Sequence, residues 1–184
     1  MTTESQAARR LLRAIRYAAE QHRSDRRKGP NGAPYINHPI TVAEQLAAAG
    51  LGEDTELLMA AVLHDVVEDT GATAEDLQAA FGQRVTSIVL EVSDNKALEK
   101  GERKRVAVET IGGKSLAARL IKLSDLISNV YDVIHHPPPW SQERKLGYLD
   151  WAEQVTQAMS GTHADLEARL LSQIAMGRRV LHAE

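Results

Sequence analysis

Apolar residues in this chain recur every three or four positions, and nowhere do apolar and polar residues alternate over a run bounded by turn signals. That periodicity is the tightest constraint on the fold, because each segment can bury the stripe of a helix and none can bury one face of a strand. Leu11, Leu12, Ile15, Ala18 and Ala19 form such a stripe between Gln6 and Glu20. Val42, Leu46 and Ala49 form a second, which opens at Pro39 and closes at Gly50. A third starts near Asp54, carries Leu57, Leu58, Ala61 and Val62, and runs on through His64 to Asp69. Thr73 with Asp76 has the spacing of a capping box ahead of a short helix, Leu77 to Phe81, ended by Gly82. Val85, Ile88, Val89 and Val92 follow; then a charged stretch, Asn95 to Lys104, leads to Gly112-Gly113. The spacing predicts a long helix from Lys114 to Ile134, stopped by Pro137 to Pro139, and two more over Ser141 to Met159 and Thr162 to Val180. With no internal repeat and no linker, residues 1–184 read as one compact all-α domain.

Composition narrows the chemistry. The chain has no cysteine, which excludes disulfides, thiolate metal sites and a cysteine nucleophile. A formal charge of −3 argues against a general nucleic-acid partner, so an anionic ligand would need a local basic patch. The longest strongly apolar run, Leu57 to Leu63, falls far short of the ~20 residues of a membrane span. The amino terminus is polar and has no secretory stretch, so the expectation is a cytoplasmic protein without a membrane partner.

Three groups of polar residues stand out. Leu58, Ala61, Val62 and Asp65 lie at i, i+3, i+4 and i+7, which puts Asp65 on an apolar stripe. His64 precedes it, and Glu68 and Asp69 follow one turn later. Burying three carboxylates and an imidazole is costly unless a cation compensates; the alternative is a solvated helix end. Asp125 and Asn129 interrupt the apolar face of the long helix in the same way, where a paired structural aspartate is the alternative. For His38, before Pro39, a capping or packing histidine is the alternative. Taken together, His38, His64, Asp65 and Asp125 form a mixed nitrogen and oxygen set suited to Mn²⁺, Fe²⁺, Co²⁺ or Zn²⁺. The third group, Arg23 to Lys28, sets four basic side chains against one acidic, with Gly29 and Gly32 able to admit a phosphate close to the backbone. A solvated surface is the alternative there, above all for Arg23 and Arg26.

These segments resemble a known family. His64-Asp65 with an upstream histidine and a downstream aspartate is the pattern of the HD-domain metal phosphohydrolases. "RRKGPNGAPYINHP" (Arg26 to Pro39), "VLHDVVEDT" (Val62 to Thr70), "FGQRV" (Phe81 to Val85) and "IKLSDLISN" (Ile121 to Asn129) are similar to the (p)ppGpp hydrolase domain of Rel/SpoT enzymes. The likeness is closer still to the free-standing small alarmone hydrolases, including the animal SpoT homologue. It continues through "ERKRVAVE" (Glu102 to Glu109) and "WSQERKLGYLDWAEQV" (Trp140 to Val155).

The resemblance implies an all-helical HD domain that binds one Mn²⁺ through His38, His64, Asp65 and Asp125. It implies Glu68 and Asp69 as the acid/base pair, Arg27 and Lys28 on the substrate phosphates, and Asn129, Arg144 and Tyr148 around the nucleotide. The implied reaction is hydrolysis of the 3′-diphosphate of ppGpp or pppGpp to pyrophosphate and GDP or GTP. The family reads Lys-Leu-Ala-Asp-Arg/Lys-Leu-x-Asn-Leu-Arg where this chain has Ser124, Leu126, Ile127 and Val130-Tyr131. Two other functions stay open from the residues: a phosphatase acting on NADPH or a related nucleotide, and an alarmone-binding protein weakened in catalysis.

Overall fold

The computed structural model describes residues 3–183. Among them α1 (Thr3–Gln21), α2 (Asn37–Leu46), α3 (Thr55–Leu63) and α4 (Val66–Asp69) form the amino-terminal half. There follow α5 (Ala74–Phe81), α6 (Gln83–Val92), α7 (Lys100–Thr110), α8 (Leu116–His135), α9 (Gln142–Ala158) and α10 (Ala164–Ala183). No strand forms among the described residues; one isolated antiparallel bridge, Arg26 to Pro34, pinches the base of the basic loop. No described helix is long and apolar enough to cross a membrane.

Two helices organise the rest. Every residue of α3 from Leu57 to Leu63 is buried, so this segment is a core rod rather than an amphipathic surface helix. It packs against α1, α2 and α6, while α8 packs against α2, α6 and α10. Asp54 caps α3 by accepting the Leu57 N–H, and Ser115 caps α8 by accepting the Ala118 N–H. The Thr73–Asp76 capping box forms as its spacing requires, and Gly82 ends α5 with φ at 89°. Gly50 takes φ 87° to turn the chain out of a π-turn, Ala47–Leu51, that extends α2.

Two local differences from the periodicity bear on function. The helix carrying His64 to Asp69 is not continuous: α3 stops at Leu63, His64 and Asp65 form a turn, and α4 restarts at Val66. The charged stretch before Gly112 is helical from Lys100 onward, as α7. Only Ala107 of α7 is buried, so there is no apolar stripe to reveal it.

Candidate functional site

The turn between α3 and α4 places His64 and Asp65 beside the first turn of α2, which carries His38, and the middle of α8, which carries Asp125. Ligand atoms of His38, His64 and Asp65 all lie within 4.8 Å of one another. Asp65 Oδ2 is 3.0 Å from His64 Nε2 and 3.7 Å from His38 Nε2. Asp125 Oδ1 closes the group, 3.2 Å from His38 Nε2 and 3.8 Å from His64 Nε2. The structure therefore brings together all four residues expected to bind metal.

The second nitrogen of each ring fixes its orientation. His64 Nδ1 donates to the Ala61 carbonyl at 2.7 Å, which turns Nε2 toward the group. His38 Nδ1 meets Ser128 Oγ at 2.9 Å. His64 Nε2 is buried yet has no hydrogen-bond partner of usable geometry. A buried ring nitrogen without a partner, beside a second imidazole and two carboxylates, fits a divalent cation that takes the place of a proton, with the hardness of Mn²⁺, Fe²⁺, Co²⁺ or Zn²⁺.

Charges within the group lean on one another. Burial opposes charge on His64, but Asp65 and Asp125 outweigh it and raise the ring to about 9. Burial likewise opposes ionisation of Asp125, yet Lys122, His38 and His64 hold it far below the usual carboxylate range. Lys122 Nζ is 3.2 Å from Asp125 Oδ2. For His38 burial prevails over Asp125, and its pKa falls.

Glu68 and Asp69 line the same cavity, of about 410 Å³, together with Lys28 and Asn129. Glu68 Oε2 accepts the Asp94 N–H at 2.8 Å. Burial pushes this carboxyl up to about 7, against that hydrogen bond and with the help of nearby acids. Asp69 accepts from Lys96 Nζ at 2.5 Å and from the Tyr35 hydroxyl at 3.4 Å. Asn129 donates to Asp125 Oδ1 at 2.5 Å and so stands beside the ligand group.

Arg27 lies elsewhere. Its guanidinium is held by Asp132 and by Asn129 Oδ1 (Nη2 to Oδ1 2.6 Å), and it lines neighbouring cavities rather than the metal chamber. In this structure it builds the wall of the site, while Lys28 is the loop cation that reaches the chamber.

A second chamber of about 280 Å³ opens from the first and shares Lys28, Asp94, Arg103, Lys122, Asp125 and Asn129 with it. Arg144 and Tyr148 line it with Trp140, Trp151, Lys100 and Lys104. Arg144 stacks on Trp140 at 4.3 Å, and Lys104 lies 5.5 Å from the Tyr148 ring and 5.1 Å from that of Trp151. Burial first, then the neighbouring cations, lowers the pKa of Lys100 and of Lys104. Crowded cations next to aromatic faces suit a polyanion that bears a flat ring.

Several of these residues escaped the sequence reading. Lys100, Arg103 and Lys104 fall at i, i+3 and i+4 of α7, a spacing that marks one helix face. Tyr35 donates to Asp65 Oδ2 at 2.6 Å, and only its place in "PYINHP" pointed to it.

The chain belongs to the HD-domain family, which matches residues 14–143 and so includes all four candidate metal ligands and the Glu68-Asp69 pair. Among its relatives is the guanosine-3′,5′-bis(diphosphate) 3′-pyrophosphohydrolase MESH1 of Drosophila melanogaster, 44% identical over 162 residues, covering 88% of this chain and 90% of that protein. The Homo sapiens MESH1 is 44% identical over 164 residues, covering 89% and 92%. A solved structure described as a metazoan ortholog of SpoT that hydrolyzes ppGpp superposes with a TM-score of 0.88 at 43% identity, covering 94% of this chain and 96% of that one.

Proposed function

We propose that this protein hydrolyses the 3′-diphosphate of guanosine alarmones, ppGpp and pppGpp, to GDP or GTP and pyrophosphate, with Mn²⁺ at His38, His64, Asp65 and Asp125, in the cytoplasm. The observation that carries this reading is the junction of two chambers, one with a metal-ligating group and a carboxylate pair, the other basic and aromatic. Their common wall combines Lys28, Arg103, Lys122 and Asn129 with the carboxylates Asp94 and Asp125, and a phosphate between the two would sit against its three cations. The names of the relatives agree with that chemistry.

When bound, a divalent cation supplies a nucleophilic water at neutral pH and neutralises phosphoryl charge. Glu68 holds its proton near neutrality and passes it to or from the reacting oxygens, while Asp69 orients the attacking water. Lys28 and Arg103 bind the 3′-diphosphate, and Lys100, Lys104 and Arg144 bind the 5′ phosphates. Tyr148 and Trp151 flank the nucleoside. Arg27 acts indirectly by holding Asn129. Leu126, fully buried, lies in the core and adds no charge where the family has a basic residue.

Product analysis tests the reading. Incubated with Mn²⁺ and ppGpp, the protein should release intact pyrophosphate and GDP, with kcat/KM above that for NADPH. Orthophosphate as the first product, or a preference for NADPH, would overturn the substrate assignment.

A further inference from the structure

Glu68 and Asp69 end α4, a helix of four residues of which Val66 alone is buried. It is closed by the Asp69 N–H on the Asp65 carbonyl at 2.8 Å and the Thr70 N–H on the Val66 carbonyl at 3.2 Å. One turn of helix does not hold its own shape, so the direction of these two carboxylates must be set from outside. The segment 93–99, between α6 and α7, makes both contacts. The Asp94 N–H donates to Glu68 Oε2 at 2.8 Å, and two residues on Lys96 Nζ donates to Asp69 Oδ1 at 2.5 Å. Asn95, between them, shapes the turn: its Oδ1 accepts the Ala97 N–H at 3.0 Å and its carbonyl the Leu98 N–H at 3.1 Å.

It matters which oxygen Lys96 holds. The Asp69 side chain is 34% exposed, and a carboxylate that open would turn between rotamers if left alone. With Oδ1 on the ammonium, Oδ2 faces the Tyr35 hydroxyl at 3.4 Å, and that hydroxyl donates to Asp65 Oδ2 at 2.6 Å. Oδ2 is thus the oxygen on the side of the ligand group, placed to accept from a water there. Lys96 lines the metal chamber but not the basic one, whereas Lys28, Arg103 and Lys122 line both. It stands on the carboxylate side of the site, away from the wall assigned to the phosphate, and Asp69 already answers its charge.

We propose that Lys96 is a positioning residue for the hydrolytic step, acting through Asp69 rather than on the substrate. It pins Asp69 Oδ1 so that Oδ2 points at the attacking water. With the Asp94 N–H, it makes the segment 93–99 a clamp on the acid/base pair. The inference rests on the roles given above to Glu68 and Asp69, not on which nucleotide is cleaved.

The test compares Lys96→Met, Lys96→Arg, Asp69→Asn and the Lys96→Met/Asp69→Asn pair in the full chain, on whichever of ppGpp and NADPH the parent hydrolyses. Lys96→Met should lower kcat by about 10–100-fold, as a misplaced reacting group does, and leave KM within about twofold. Lys96→Arg keeps a cationic donor for Oδ1 and should restore most of kcat. The double variant should be no slower than Asp69→Asn, because the lysine has no carboxylate left to position. Without metal or substrate, Lys96→Met should speed amide exchange at Asp94 by about threefold or more, since the loop has lost one of its two ties to α4. A raised KM with kcat intact would make Lys96 a substrate cation and overturn the proposal. Unchanged kcat and exchange would overturn it too, leaving the pair a solvated surface contact. Failure of the parent on both nucleotides would refute the proposed function, and the Asp94 exchange would then decide the clamp by itself.

Discussion

Arg27 and Asp132, 105 positions apart, are joined by two hydrogen bonds, Nε to Oδ2 at 2.9 Å and Nη2 to Oδ2 at 2.7 Å. Burial works against the guanidinium charge, but Asp132 outweighs it and raises the Arg27 pKa. The same guanidinium reaches Asn129, which in turn donates to Asp125, so the loop is tied to the ligand group through side chains of α8. Arg27→Ala and Asp132→Ala should therefore both raise KM and lower the melting temperature. A double-mutant cycle on stability should give a coupling of about 1–2 kcal/mol. An arginine that served only the substrate would leave Asp132→Ala with unchanged KM.

Metal content can be tested without turnover. The protein should bind about one divalent ion per chain, and Asp65→Ala and Asp125→Ala should lose it while staying folded. Ser128→Ala removes the partner of His38 Nδ1 and should weaken affinity by about 10–100-fold. Unaltered binding in both aspartate variants would remove the metal site.

Glu68 makes stability depend on pH. Its carboxyl rises from 4.5 to about 7 on folding, so between those values the unfolded chain releases a proton that the native state keeps. The sign follows: the neutral carboxyl contributes stability in full below about 4.5, and that contribution is lost as pH rises to about 7. Melting curves of the metal-free protein should show Glu68→Gln gaining on the parent from pH 5 to pH 8 and then holding level. Glu68→Gln should also lower kcat by about 10²–10⁴ with metal retained. Equal pH dependence in parent and variant would contradict the raised value.

The site was legible wherever chemistry interrupted a period. Asp125 was visible because a carboxylate broke the apolar face of α8, and Asp65 because it followed Leu58, Ala61 and Val62. Spacing alone could not show the turn at His64 and Asp65, since α4 resumes after so short a break that the pattern persists across it. α7 was hidden for the opposite reason, having charge on most sides and no stripe. The Arg27–Asp132 pair joins a loop without periodicity to a distant helix, so nothing local announced it. Tyr35 lies in the same loop and acquires its role only by touching Asp65.

The chamber that α7 helps to build carries the last expectation. Lys100, Lys104 and Arg144 repel one another, and burial adds to the cost of keeping both lysines charged. A tetraphosphate relieves that repulsion on binding, so these cations should act on substrate capture more than on the chemical step. Lys104→Met keeps the aliphatic stem between Tyr148 and Trp151 and removes only the charge. It should raise KM for ppGpp by about tenfold, the worth of one charge-assisted contact, and leave kcat within about twofold. Raising the ionic strength should increase KM for the parent more steeply than for Lys104→Met, because the variant has one fewer charge to screen. Should Lys104→Met instead lower kcat at constant KM, the lysine would stabilise the transition state and the 5′ phosphates would have to lie elsewhere.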